Sequence, residues 1–138
     1  MDNFHGAKIA LFLGTQLLVY QRDDKATIPF PGKWDLPGGG REGNETAMEC
    51  VLREVQEEFG IVLLPSCVHW TRQYPSRNHS GSYFMVGTLT DRESAAIQFG
   101  DEGQQWRFMA LAEFLSHEHA VPRLQQRLRD YLAGEPSL

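Results

Sequence analysis

Three glutamates near the end of one predicted helix are the residues of this sequence best suited to chemistry. Glu54, Glu57 and Glu58 fall within five positions, so on an α-helix their carboxylates face one region beside an apolar stripe. This placement is unfavourable for the helix itself, because like charges repel at i,i+4 and all three lie towards the negative end of the helix dipole. A bound divalent cation would turn the repulsion into attraction, since Mg²⁺ prefers carboxylate and phosphate oxygens.

A solvated acidic face is the plainer interpretation of the same helix, because Glu49, Arg53 and Glu57 follow one another at i,i+4 spacing. The sequence around the helix favours a functional site over a solvated face. A glycine-rich turn leads into the helix, and a local rule broken without visible compensation tends to mark a functional site.

The elements that must position these glutamates can be predicted from periodicity and turn residues. The acidic helix is predicted from an N-cap at Asn44 to Phe59, with Gly60 as its C-terminal glycine. Other predicted elements are strands at Ala7–Leu13, Gln16–Gln21, Cys67–Tyr74, Ser82–Thr90 and Gln104–Ala110, an extended piece at Lys33–Leu36 inside a loop, and helices at Leu111–Ser116 and Pro122–Ala133. The mixed order indicates an α+β fold or an α/β/α sandwich.

Length and composition fit one compact domain spanning 1–138, with 41% hydrophobic residues for its core. A net charge of -5 argues against a general affinity for nucleic-acid backbone, so metal ions would have to supply positive charge to a phosphate ligand. No membrane span or signal peptide is expected. The only cysteines, Cys50 and Cys67, are interpreted as buried thiols in a reducing compartment, which predicts a cytoplasmic protein.

The segment from Gly39 to Ile61, GGREGNETAMECVLREVQEEFGI, satisfies every fixed position of the pattern G-x5-E-x7-R-E-U-x-E-E-x-G-U, where U is a bulky aliphatic residue. This is the Nudix box, and the chain therefore resembles the Nudix hydrolases, which include MutT-like proteins. Nine specified positions in a loop-then-helix context are a specific signal. The resemblance implies the Nudix fold, an α/β/α sandwich with a central mixed β-sheet. It also implies cleavage of the diphosphate of a nucleoside diphosphate linked to another group.

By the same resemblance, Glu54, Glu57 and Glu58 bind Mg²⁺, for which Mn²⁺ can substitute, and the Gly38 carbonyl is a further metal ligand. Glu102, in a loop before a strand, is expected to add one more carboxylate to the metals or the attacking water. A plain acidic turn is the alternative for that loop.

Arg53 is counted with Glu54, Glu57 and Glu102 as catalytic, because in the family it pairs with Glu45 and orients the adjacent glutamate. Glu45 and Gly60 are expected to be structural.

Substrate contacts are expected from residues outside the box and from its first glycine, although core packing is the favoured explanation for each aromatic residue taken singly. These candidates are Arg22, Trp34, Leu36, Gly39 and Phe84.

The preferred substrate is a nucleoside triphosphate, oxidised ones included, cleaved to monophosphate and pyrophosphate. The segment Ser116–Pro122 lacks the asparagine with which 8-oxo-guanine nucleotide hydrolases read the base. ADP-ribose, dinucleoside polyphosphates and nucleotide sugars stay open, as do a non-catalytic nucleotide-sensing module and an RNA-directed member. The partner is expected to be a small nucleotide, without membrane or extended nucleic acid. Because related small domains often pair, the resemblance also leaves a homodimer open.

Overall fold

A computed structural model describes residues 3–76 and 80–134. The strands are β1 Phe4–Leu13, β2 Gln16–Gln21, β3 Trp34–Asp35, β4 Gly38–Gly40, β5 Val68–Tyr74, β6 Gly81–Thr88 and β7 Gln105–Ala110. The helices are α1 Ala47–Phe59, α2 Asp91–Ala95, α3 Leu111–Ser116 and α4 Pro122–Leu132, with a short 3-10 turn at Pro65–Cys67. None of the helices in these ranges is long and apolar enough to cross a membrane.

All seven strands belong to one mixed sheet, in which β1 lies at the centre. Its parallel partner is β6, and β5 pairs antiparallel with β6 beyond it. On the other side β1 divides its pairing, because only its last residues pair with β2 while Gly6–Lys8 pair with β4. Strands β1 and β2 are therefore paired at one end only. At the other end β3 pairs with β2 and β4 pairs with β1, so the glycine-rich segment lies between them.

The core lies in two clusters, one on each face of the sheet. Alternate residues of β1 point to opposite faces, as a strand requires, so Ile9 packs towards α1 whereas Ala10 packs towards α3 and α4. Val51, Val55 and Phe59 of α1 are fully buried in the first cluster. Helices on both faces of a mixed sheet confirm the α/β/α sandwich.

Helix α1 begins two residues later than an N-cap at Asn44 would require, so that prediction is wrong. The cap is Thr46, whose hydroxyl accepts from the Glu49 amide while the Glu49 carboxylate accepts from the Thr46 amide. This reciprocal capping box satisfies two backbone donors, which Asn44 alone cannot do. The C-terminal glycine is confirmed, because Gly60 has φ 67° and its amide donates to the Gln56 carbonyl.

Other predicted bounds change for similar local reasons. Strand β6 ends at Thr88 and not at Thr90, because Thr90 caps α2 in a second capping box with Glu93. Helix α2 and strand β4 were not predicted at all. The segment that joins the predicted strands Cys67–Tyr74 and Ser82–Thr90 falls partly on residues 77–79, which lie outside the described residues.

Candidate active site

Strand β4 consists of three glycines, and its backbone lies close to the carboxylates of α1. A Cβ built on Gly39 would lie 2.7 Å from the Glu54 carboxyl carbon, so the absence of a side chain there makes room for this carboxylate. Gly38 has φ 129°, and a Cβ on it would lie 2.2 Å from the Ala7 carbonyl oxygen of the neighbouring strand. The glycines therefore allow the sheet edge and the acidic helix to approach closely.

The Arg53 guanidinium is the centre of an ion-pair network between the loop and α1. It donates to both carboxylate oxygens of Glu45, at 2.7 and 3.0 Å, and to the Gly40 carbonyl at 2.8 Å. It also contacts the Glu54 carboxylate at 3.1 Å and the Glu57 carboxylate at 3.0 Å. Its hydrogen bond to Glu45, followed by those to Glu54 and Glu57, raises the pKa of Arg53 and keeps it charged. One cation thus fixes the loop and partly offsets the repulsion between two acidic side chains.

Glu58 occupies the most enclosed position of the three helix carboxylates. It accepts a hydrogen bond from the Gly38 amide at 2.9 Å. Burial raises the pKa of Glu58 to about 8, although Lys8 and the Gly38 amide act in the opposite direction. Burial also raises the pKa of Glu54, against the effect of Arg53. Both acids therefore lie where a negative charge is costly unless a cation comes close.

Residues 97–104 fold over the end of α1 and carry Glu102 to the other carboxylates. The amides of Gln98 and Gly100 donate to the Phe59 and Glu58 carbonyls, at 2.9 and 2.8 Å. These bonds satisfy carbonyls that a helix end otherwise leaves without partners. A cavity is consequently lined by acidic side chains from three segments: Glu42, Glu54, Glu57, Glu58, Asp101 and Glu102.

A second cavity of about 330 Å³, here called the cleft, adjoins the first and shares Glu54, Glu58 and Glu102 with it. Its remaining wall includes backbone of Gly38–Gly40 and four basic side chains: Lys8, Arg22, Arg123 and Arg127. An anionic ligand in the cleft would therefore meet both carboxylates and cations.

A buried carboxylate organises part of this basic wall. Asp35, with 2% of its surface exposed, accepts from Lys8 at 3.0 Å, from Arg22 at 2.8 Å and from the Tyr20 hydroxyl at 3.1 Å. Burial alone would raise the pKa of Asp35, but Lys8 and Arg22 outweigh it and hold this pKa below its ordinary value. Lys8 also donates to the Leu36 and Gly38 carbonyls, at 3.1 Å each. Sequence reasoning missed Lys8, because only the strand register brings it beside Gly38.

A sequence model of the NUDIX domain matches residues 4–131. The chain belongs to the Nudix family. An ADP-ribose pyrophosphatase of Methanocaldococcus jannaschii is 25% identical over 122 residues, which are 83% of this chain and 69% of that protein. An 8-oxo-dGTP diphosphatase of Proteus vulgaris is 42% identical over 60 residues, 40% of this chain and 51% of that protein, so the match spans about half its length.

The crystal structure of a MutT protein from Methanosarcina mazei superimposes with a TM-score of 0.75, at 20% identity over 96% of each chain. The Nudix fold expected from the box is thereby confirmed. Family membership also confirms the class of reaction, pyrophosphohydrolysis of nucleotide compounds, and family members in general use a divalent metal.

Three of the side chains expected to contact substrate do not reach the cleft of this Nudix domain. Leu36 and Phe84 have no exposed surface and pack in the core between the sheet and α4, so both assignments are wrong. Trp34 is 8% exposed and lines a separate pocket with Gln21, His117 and His119. Arg22 and Gly39 do line the cleft, although Arg22 is already bound to Asp35 and to the Pro29 carbonyl.

The donor set of the Nudix carboxylate cavity fits a hard divalent cation, because its side chains offer carboxylate oxygens. Within residues 3–76 and 80–134, no group of three or more Asp, Glu, His or Cys side chains is already placed to hold an ion. The physical reason is local, since Arg53 engages Glu54 and Glu57 and the Gly38 amide engages Glu58. Rotation of these side chains away from their present partners would be needed for coordination.

Replacing Gly39 by alanine should impair activity, because the new methyl group would displace the Glu54 carboxylate, whose carbon would lie 2.7 Å away. We expect kcat to fall by about 100-fold, the effect of misplacing a reacting group by roughly 1 Å. The neighbouring Gly40→Ala is the matched control, since a Cβ there meets nothing closer than the His5 carbonyl oxygen at 3.9 Å. Equal kcat values for the two variants in a pyrophosphate-release assay would contradict this role for Gly39.

Proposed function

We propose that residues 1–138 form one catalytic domain, a Mg²⁺-dependent hydrolase that cleaves nucleoside triphosphates to monophosphate and pyrophosphate. The observation that carries the proposal is the cleft, a cavity of about 330 Å³ lined both by carboxylates of the Nudix box and by four basic side chains. A nucleotide polyphosphate matches both walls: its phosphates can bridge metal ions at the carboxylates while the basic side chains bind its remaining oxygens.

The metal ligands in this proposal are Glu54, Glu57, Glu58 and Glu102, together with the Gly38 carbonyl. Bound Mg²⁺, or Mn²⁺ in its place, would supply Lewis-acid stabilisation of the charge that develops on the phosphate oxygens. Supporting evidence is that all four carboxylates line one cavity although they come from two separate segments. The Gly38 carbonyl currently accepts from Lys8, and it lines the cleft beside Glu58.

Hydrolysis needs a water molecule activated next to phosphorus and a stabilised leaving group. In the proposed step one carboxylate among Glu54, Glu57 and Glu102 accepts a proton from water. The water oxygen forms a bond to phosphorus, the bridging P–O bond breaks, and its electron pair leaves on the departing phosphate. Arg53 acts by holding the Glu54 and Glu57 carboxylates in place, and Arg22 and Gly39 contact the substrate.

A second candidate substrate is ADP-ribose, because the relative named for that substrate matches 83% of this chain. Dinucleoside polyphosphates and nucleotide sugars share the same diphosphate.

Cytoplasmic location and homodimer formation remain predictions. The location is supported by the free thiols of Cys50 and Cys67. Both thiols were expected to be buried, but Cys67 is only partly buried.

A nucleotide panel tests the proposal. Purified protein with Mg²⁺ is given dGTP, 8-oxo-dGTP, ATP, ADP-ribose, a dinucleoside tetraphosphate and a nucleotide sugar, and the products are identified by chromatography. The expected result is monophosphate and pyrophosphate from a triphosphate, with no turnover when Mg²⁺ is removed by a chelator. If ADP-ribose were cleaved faster than the triphosphates, it would replace them as the proposed substrate. If no compound were cleaved, the proposal that the protein is an enzyme would be refuted.

A further inference from the structure

Two of the four basic side chains that line the cleft are arginines of α4, and the proposed hydrolysis gives them no specific role. Arg123 and Arg127 lie one helical turn apart and line the same cleft as Glu54 and Glu58. Side chains at this spacing are neighbours on a helix, and two cations there repel each other. They lie outside the Nudix box, more than 60 positions along the chain from it.

Neither guanidinium has an anionic partner in the described parts of the chain, 3–76 and 80–134. Arg127 is half-buried and lies 4.4 Å from the centre of the Tyr74 ring, whereas Arg123 lies 5.4 Å from the centre of the Phe30 ring. The nearby Asp130 carboxylate attracts Arg127 without forming an ion pair with it, and it accepts from the Tyr74 hydroxyl at 2.8 Å and from Gln126 at 3.2 Å. Burial, and then repulsion by Arg123, lower the pKa of Arg127. A cation held in this way is poised for a negatively charged ligand.

The other basic side chains of the cleft differ from this pair in one respect. Lys8 and Arg22 both contact the Asp35 carboxylate, so their charge is already partly neutralised within the protein. Arg123 and Arg127 form no such ion pair within the described residues, so their charge stays available to a ligand. Their planar guanidinium groups can each donate two parallel hydrogen bonds to a phosphate, a geometry that lysine does not offer.

We propose that Arg123 and Arg127 form a subsite for a terminal phosphate, which selects nucleoside polyphosphates carrying a third phosphate over compounds whose diphosphate ends in a neutral sugar. This deepens the proposed function and rests on it, because it assumes that the scissile diphosphate lies at the carboxylate wall of the same cleft. The Tyr74 ring holds Arg127 in position by its face, and Asp130 in turn holds Tyr74.

The kinetic test compares wild type with Arg127→Gln on a nucleoside triphosphate and on ADP-ribose. Loss of a charged hydrogen-bonding group should raise KM for the triphosphate by about 10- to 100-fold. The KM for ADP-ribose, or its inhibition constant if it is not cleaved, should change by less than about threefold. Arg127→Lys keeps the charge but loses the planar guanidinium, so its KM for the triphosphate should lie between those of wild type and Arg127→Gln. Arg129→Gln is the matched control, since Arg129 lies on the same helix but donates to the Leu115 carbonyl.

A binding measurement keeps this inference separate from the proposed hydrolysis. Calorimetric titration with inorganic tripolyphosphate, without metal, should show at least about tenfold weaker binding to Arg127→Gln than to wild type or Arg129→Gln. If wild type cleaves no nucleotide, the proposed function fails and this titration still decides the subsite. Equal tripolyphosphate affinity in wild type and Arg127→Gln, or an equal rise of KM for both nucleotides, would overturn the subsite. Thermal melting of each variant verifies folding.

Discussion

Glu57→Gln should lower kcat for Mg²⁺-dependent pyrophosphate release by about 100- to 1000-fold, the usual effect of removing one group that stabilises transition-state charge. The substitution keeps the shape of the side chain and removes its negative charge, so a metal ligand is lost. Glu57 also lines the cavity that Glu54, Glu58 and Glu102 share. Steady-state kinetics with saturating nucleotide measures the change directly.

The same variant should fold normally, which separates a catalytic loss from a structural one. The Glu57 side chain is 52% exposed and pairs with Arg53, and an ion pair this exposed contributes at most about 1 kcal/mol. Glu118→Gln is the matched control, because Glu118 is an exposed glutamate outside both acidic and basic walls. If kcat of Glu57→Gln stayed within threefold of wild type, Glu57 would have no role in turnover.

Asp35→Asn should reduce the free energy of unfolding by about 3–5 kcal/mol, because it leaves the partly buried cations Lys8 and Arg22 without their carboxylate. The amide retains the size of the side chain, so the loss reports charge and not a cavity. Urea denaturation followed by circular dichroism gives the value. Tyr20→Phe serves for comparison, since it removes one hydrogen bond to Asp35 and should cost only about 1 kcal/mol.

The pH dependence of this difference gives a second check on Asp35. Burial opposes its ionisation, but Lys8 and Arg22 prevail and the folded pKa lies below the ordinary value. The stabilisation is therefore complete above the unfolded pKa, about 3.9, and is lost as the pH falls through the folded pKa. Wild type and Asp35→Asn should differ most near neutral pH and converge in acid. A difference that stayed constant down to the acid-denatured range would contradict the ion-pair account.

The sequence was sufficient for the parts of the site that depend on spacing within one segment. Glu54, Glu57 and Glu58 share a region because an α-helix fixes their angular positions, and Gly60 ends that helix because it can adopt a positive φ. The Thr46 and Thr90 capping boxes were also present in the sequence, as a threonine followed three positions later by glutamate. Asn44 is also a good N-cap residue, and Leu89 and Thr90 continue the β-prone run of β6, so local preferences alone do not identify these two boxes.

Contacts between distant segments could not be predicted in this way. Leu36 and Phe84 were assigned to the substrate although they fill the core, because hydrophobicity alone does not distinguish a pocket wall from a packed interior. Lys8 reaches Asp35 and Gly38 only through the register of β1 with β4. Arg123 and Arg127 resemble ordinary surface charges until the fold places α4 beside the cleft.

Direct titration with Mn²⁺, followed by electron paramagnetic resonance of the free ion, tests most directly whether the glutamates of α1 capture divalent cations. Wild type should bind Mn²⁺ in competition with Mg²⁺, and Glu57→Gln and Glu58→Gln should each weaken this binding by at least about tenfold. Glu118→Gln should bind as wild type does. If a variant with Glu54, Glu57 and Glu58 all changed to glutamine bound Mn²⁺ as tightly as wild type, the carboxylate cavity would not be the metal site.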